Sequence, residues 1–233
     1  MAVASRQAEP ALAERKNQLY AEAVARHGAS LIVLDATATS ADRALAFADM
    51  DGLLLSGGAD LDPTRYGQAV DGALGIERDR DALEAAAWEA AIARSIPVLG
   101  LCRGLQSINV FSGGALLQHV EGHVGAAYGH GPAATHPIRL VSSSRLTGWL
   151  GQAAELEVNS YHHQGIRSDD LAPGLVAAAW ADSSAGPLVE ALEAADGRFV
   201  VGIQCHPERV ESTPHVFERL FAAFVDTCRH PDA

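Results

Sequence analysis

Short apolar runs alternate along this chain with longer stretches in which apolar residues recur at helical spacing. The runs at 31–34, 52–55, 96–101 and 199–204 are continuous and rich in Leu, Ile and Val, the pattern of strands buried on both faces. Between them, 10–27 reads as a helix stopped by Gly28, and 40–48 as a helix capped by Ser40. A third helix is expected from Asp81, with Glu84 three residues on as a capping box, to about 94. Another follows Cys102, and a last one spans 214–228. Residues 113–117 open a further short strand, and shorter strands are expected at 138–141, 156–158, 175–179 and 188–193. Two long loops, 59–80 and 121–137, interrupt this order, and loops of such length are often functional. Alternating strands and helices predict an α/β fold with a mostly parallel sheet and helices on both faces.

Composition narrows the function classes. With 233 residues, 48% of them hydrophobic, the chain can bury a sizeable core, and no repeat, linker or compositional break divides it. Its net charge of −12 and the absence of a long basic run argue against nucleic acid or an anionic membrane as partner. No stretch resembles a signal peptide or approaches the length of a membrane span. The three cysteines, Cys102, Cys205 and Cys228, fit neither a disulfide framework nor a zinc knuckle, so a reducing cytoplasm is expected.

Two segments carry candidate chemistry. Gly100-Leu101-Cys102-Arg103-Gly104 follows an apolar run and precedes a helix, the layout of a nucleophile elbow with sulfur in place of the serine oxygen. At a helix N-terminus the dipole and free amides favour thiolate over thiol, and thiolate is the nucleophile that acyl transfer needs. The second segment is Gly202-Ile203-Gln204-Cys205-His206-Pro207-Glu208, where an apolar strand ends in His-Pro-Glu. Residues two apart on a strand face the same side, so His206 and Glu208 are expected to meet as base and orienting acid behind Cys102. Gly57-Gly58 follows another strand in a turn where backbone can approach a ligand closely. The Gly58 and Arg103 amides are therefore the candidate oxyanion donors. His119 and His123 lie four apart but lack a third ligand of suitable spacing, so no metal is expected, and thiol chemistry of this kind calls for no organic cofactor.

These motifs, with Asp51-Gly52-Leu53-Leu54-Leu55-Ser56-Gly57-Gly58-Ala59-Asp60-Leu61-Asp62-Pro63, Tyr66-Gly67, Arg80-Asp81, Gln106, Asn109, Gly113-Gly114 and Asn159-Ser160-Tyr161-His162-His163-Gln164, stand in one order along the chain. In that order they resemble the class I glutamine amidotransferase-like superfamily, and within it the gamma-glutamyl-gamma-aminobutyrate hydrolases. The resemblance covers roughly residues 15–225. It implies a single flavodoxin-like three-layer domain over 1–233, with a smaller antiparallel strand group beside the mostly parallel sheet. It further implies that Cys102, His206 and Glu208 cleave a small gamma-glutamyl amide through a gamma-glutamyl thioester. Gly57, Gln106, Ser160, Tyr161 and His162 would hold the substrate.

The chain departs from the pattern in two places. Ahead of the first helix only Ala2-Val3-Ala4 is apolar, shorter than the family's opening strand, which puts the sheet edge in question. Cys205 stands where the family carries a large aromatic, and it is expected to pack in the core. Other readings of the residues stay open. Gln106 could be a solvated helix glutamine and Ser160 a local backbone partner. His162 and His163 would face opposite ways on a strand, and a structural role for either is as good as a catalytic one. Arg80 and Asp81 fit helix-start electrostatics as well as a role in shaping the site. At the level of function, a glutaminase subunit feeding ammonia to a synthetase and a non-catalytic binding module on the same fold remain alternatives. The partner called for is a small gamma-glutamyl molecule, and a homo-oligomer is left open.

Overall fold

The computed structural model describes residues 2–3, 10–121, 134–151 and 153–231. Its elements in order are β1 (Ala2–Val3), α1 (Pro10–Ala25), β2 (Val33–Leu34), α2 (Ser40–Asp49), β3 (Leu53–Leu55), α3 (Arg78–Ala93), β4 (Val98–Leu101), α4 (Arg103–Phe111), β5 (Ala134–Leu140), α5 (Arg145–Trp149), β6 (Glu155–Ser160), β7 (Leu175–Ala181), β8 (Leu188–Ala194), β9 (Val200–Ile203) and α6 (Glu218–Arg229). All nine strands join one sheet in the order β2-β1-β3-β4-β9-β8-β7-β5-β6. From β2 to β9 the neighbours are parallel, and from β9 to β6 they are antiparallel. The antiparallel group is thus continuous with the parallel half through the β9–β8 pair. The short β1 is not the edge: it lies between β2 and β3.

Strand alternation divides the core into two layers. Leu54, Leu99, Leu101, Val201 and Ile203 face Tyr20, Ala23 and Val24 of α1 and Phe221, Phe224 and Val225 of α6. Their neighbours Leu53, Leu55, Val98 and Val200 face Ala46 of α2, Leu83, Ala87 and Ala91 of α3 and Leu105 and Ile108 of α4. The expected three-layer arrangement follows from these period-two runs. Cys205 is buried in the first of the two layers, as expected.

Several local expectations are corrected. The cap of α2 is Thr39, not Ser40: the Thr39 hydroxyl accepts from the Asp42 amide, and the Asp42 carboxylate accepts from the Thr39 amide. Helix α3 starts at Arg78, ahead of the expected Asp81, and Glu77 caps it without a side-chain bond. Asp81 and Glu84 form no capping box because both are fully buried and bound to arginines. Residues 113–117 form no strand, only an isolated bridge from Leu117 to Gly165; the Ala115 N–H donates to the Asp170 carbonyl and its C=O accepts from the Asn109 side chain. Strand β5 begins at Ala134, inside the segment read as a loop over 121–137, of which 122–133, with His123, lie outside the described residues. Helix α5 was not expected, since its five residues are too few to show a period; the Ser144 hydroxyl caps it.

Candidate active site

The elbow is built from close packing. A Cβ on Gly100 would lie 2.5 Å from the Gly104 backbone, and one on Gly104 would lie 2.0 Å from the Leu55 carbonyl oxygen. Both glycines are thus required for strand β4, helix α4 and strand β3 to touch. The residue that makes the sharp turn is Cys102 itself, with φ of 54° and ψ of −108°. A side chain in that region costs about 1–3 kcal/mol, and such strain persists only where its surroundings enforce it. The strain sets the Cys102 thiol at the N-terminus of α4, in a pocket it shares with Gly57, Gly58, Tyr161, His206 and Glu208.

His206 and Glu208 meet as expected, with Nδ1 donating to Glu208 Oε1 over 2.6 Å. The reason differs from strand alternation: β9 ends at Ile203, and both residues lie in the turn beyond it. Asn159, at the end of β6, clamps that turn. Its amide nitrogen donates to the His206 carbonyl over 3.0 Å, and its oxygen accepts from the His206 amide over 2.8 Å. Burial disfavours the imidazolium, yet the Glu208 carboxylate and a Cys102 thiolate outweigh it and push His206 up to about 10. The arrangement suits a protonated imidazole beside the sulfur.

A buried charge network shapes the other wall. Arg103 pairs with Asp81 and Glu84, and Arg80 Nε donates to Glu84 Oε1 over 2.8 Å. This places two guanidinium groups against two carboxylates, with Arg80, Asp81 and Glu84 fully buried and Arg103 nearly so. Arg80 Nη2 also donates to the carbonyls of Ser56 and Gly57, each over 3.1 Å. In a trans peptide the N–H points opposite to the C=O, so holding the Gly57 carbonyl turns the Gly58 N–H away from Arg80. The Gly57 N–H instead donates to the Tyr20 hydroxyl over 3.0 Å. Among the described residues no protein acceptor meets the Gly58 N–H or the Arg103 N–H, which opens α4. Arg80 and Asp81 therefore shape the site.

The expected substrate contacts divide. Gly57 and Tyr161 line the pocket, and the Tyr161 ring meets His206 edge-on, with centroids 5.4 Å apart. Gln106 does not line it: its Nε2 donates to the Gln204 Oε1 over 3.2 Å, and the Gln204 amide in turn donates to Cys102 Sγ over 3.6 Å. Gln106 thus stands behind the nucleophile because helix α4 aims it at β9. Ser160 is buried at the end of β6 and also lies outside the pocket wall. His162 turns away, its Nδ1 donating to the Gln164 carbonyl over 2.9 Å. His163 pairs with Asp60 over 2.9 Å, and that bond raises its pKa. His119 lies against His163, the two Nδ1 atoms 3.3 Å apart.

Sequence reasoning missed the cover of the pocket. Helix α1 contributes Lys16 and Tyr20, and the turn after Glu208 contributes Arg209, whose guanidinium lies 4.4 Å over the Tyr161 ring. Burial, then the Arg209 charge, lowers the Lys16 pKa. Burial and the Glu208 charge hold the Tyr20 hydroxyl neutral. No motif marks Lys16 or Tyr20, since α1 is far from the elbow in sequence, and Arg209 follows the His-Pro-Glu turn without belonging to it.

The family model of Peptidase C26 matches residues 3–208. The chain belongs to the Peptidase C26 family. This family is of the class I glutamine amidotransferase-like type, hydrolases among them. A Mycobacterium tuberculosis protein named "Putative glutamine amidotransferase" is 41% identical over 178 residues, 75% of this chain and 54% of that protein; the chain thus spans about half the length of this relative. The gamma-glutamyl-gamma-aminobutyrate hydrolase of Escherichia coli K12 is 31% identical over 195 residues, 78% of this chain and 73% of that protein. The Trypanosoma brucei CTPS glutaminase domain, solved with bound acivicin, shares the fold with a TM-score of 0.65 at 18% identity, over 100% of this chain and 94% of that one.

The His206 pair makes stability depend on pH. The folded protein holds this proton more tightly than the unfolded chain, where histidine titrates near about 6.5. Its contribution is full below that pH and is lost as pH rises through about 10. Denaturant midpoints measured across this window should fall with pH, and the fall should flatten in Glu208→Gln; an equal slope in both proteins would show that Glu208 does not hold the proton.

Proposed function

We propose that this protein hydrolyses the gamma-glutamyl amide bond of a small compound, releasing glutamate and an amine. The observation that carries this reading is the meeting of Cys102, His206 and Glu208 in one pocket, with the thiol held at the N-terminus of α4. The likeness to the Escherichia coli gamma-glutamyl-gamma-aminobutyrate hydrolase supports the choice of substrate class.

In this reading Cys102 Sγ attacks the side-chain carbonyl of the glutamyl group. The oxyanion is received by the Gly58 and Arg103 amides, each such donor being worth about 3 kcal/mol. His206 gives its proton to the leaving nitrogen as the C–N bond breaks, and a gamma-glutamyl thioester remains. The now neutral His206 takes a proton from water, whose hydroxide attacks the thioester and frees glutamate and the thiolate. Glu208 holds the imidazole orientation throughout. Tyr161 and the Gly57 turn form the wall against the glutamyl chain. Lys16 and Arg209 set two cations beside the thiol, the charge that a substrate carboxylate requires. The loop between β3 and α3, over 59–77, would face the amine and select it. Among the described residues no helix is long and apolar enough to cross a membrane, and a reducing cytoplasm would keep Cys102 active.

Glutamate release should be measured on gamma-glutamyl-gamma-aminobutyrate, glutamine and a gamma-glutamyl anilide. Wild type should turn over the first, and Cys102→Ala should abolish turnover. Preference for glutamine, raised by a synthetase, would favour the glutaminase reading, and a folded protein inert on all three would overturn the proposal. Arg209→Met should raise KM about tenfold with little change in kcat, the order expected for one lost charge-assisted hydrogen bond. An unchanged KM would remove Arg209 from substrate binding.

A further inference from the structure

Away from the thiol, three side chains converge that the proposed reaction does not use: His136 on β5, His162 just after β6 and Glu190 on β8. Their nearest nitrogen and oxygen atoms all lie within 4.8 Å of one another. The His162 Nε2 is 3.9 Å from Glu190 Oε1, and the His136 Nε2 is 4.0 Å from Glu190 Oε2.

The Glu190 carboxylate is 1% exposed, and neither of its oxygens accepts a hydrogen bond among the described residues. A buried carboxylate without hydrogen bonds is costly, because neither water nor protein replaces its lost hydration. Each imidazole directs its Nδ1 at a carbonyl, His162 at Gln164 over 2.9 Å and His136 at Pro137 over 3.3 Å. A carbonyl only accepts, so the proton of each neutral ring sits on Nδ1, and the Nε2 lone pair faces the carboxylate. Two imidazole nitrogens and a carboxylate gathered in one place are held together by a shared proton or by a metal cation. Fixing Nδ1–H on a backbone carbonyl is also how proteins present Nε2 to a metal.

The backbone singles out the same residue. Val189 pairs with Trp180 and Ala191 with Ala179, so Glu190 is left without a partner at an irregularity of the β7–β8 ladder. Such bulges re-aim one side chain and are frequent beside functional sites.

We propose that His136, His162 and Glu190 form a binding site for a divalent first-row transition-metal ion of the zinc class, with two imidazole nitrogens and one carboxylate as protein ligands. Zinc takes such ligands at about 2.0–2.2 Å, so modest side-chain rotation closes the gap around it. The ion would tie β5 and β8 to the segment that carries Tyr161, and so brace one wall of the pocket. This sets the chain apart from the sequence expectation of no metal, which weighed only His119 and His123, because the three ligands come from strands far apart in the chain.

The test uses the full chain, stripped with a chelator and alkylated at Cys102 so that the thiolate cannot compete. Zinc should bind by titration calorimetry with one equivalent, and the melting temperature should rise with zinc concentration. Glu190→Gln, close in shape, and His162→Ala should each lose that equivalent and the zinc-dependent shift, while circular dichroism shows both folded. Should His162→Ala fail to fold, Glu190→Gln decides alone. Cobalt in place of zinc should give visible absorption in wild type and lose it in Glu190→Gln. Absence of binding in wild type, or an equivalent retained in Glu190→Gln, would overturn the site.

Discussion

The architecture turns on a strained peptide. Cys102 occupies a backbone region that side chains avoid, and it stays there because three backbone segments press together around it. Gly100 lies on Gly104, and Gly104 lies on the Leu55 carbonyl, with no room for a side chain between. Relaxing Cys102 would require β3, β4 and α4 to separate, and those elements carry Leu53, Leu55, Leu99 and Leu105 of both core layers. The hydrophobic core thus holds the strain, and the strain places the sulfur at a helix N-terminus. Fold and chemistry share one constraint.

Behind this turn, charge does what apolar packing cannot. Arg103 begins the helix that follows the nucleophile, and its guanidinium is locked to Asp81 and Glu84 of α3. Arg80, on the same carboxylate, reaches the glycine turn after β3. One balanced cluster therefore fixes both backbone amides that the proposed mechanism assigns to the oxyanion. Removing a single member would leave its partner charged and buried, which costs far more than the pair contributes.

The sequence made the elbow and the His-Pro-Glu turn readable because each is local: the glycines, the nucleophile and the strand ahead lie within a few residues. The strands of the parallel half were readable for the same reason, being uninterrupted apolar runs. What failed was direction over distance. Gln106 was expected on substrate, but the pitch of α4 turns it toward Gln204. Asp81 and Glu84 resemble a helix start, yet their partner Arg103 lies on another helix. Asn159 sits in a recognisable segment, but its hold on the His206 backbone follows from the sheet order, which places β6 at the far edge and curls its end back to the β9 turn. Lys16, Tyr20 and Arg209 carry no motif at all. Lys16 and Tyr20 reach the pocket through α1, whose placement is set by Tyr20, Ala23 and Val24 in the core, and Arg209 reaches it through the turn after Glu208.

The central claim is that Cys102 carries the glutamyl group during turnover. Acid quench within one turnover, followed by intact-mass and peptide mass spectrometry, tests it most directly. The account predicts a gamma-glutamyl adduct on the peptide that contains Cys102, formed and discharged as glutamate appears. Glutamate release with no adduct, or with an adduct at Cys205 or Cys228 instead, would contradict it.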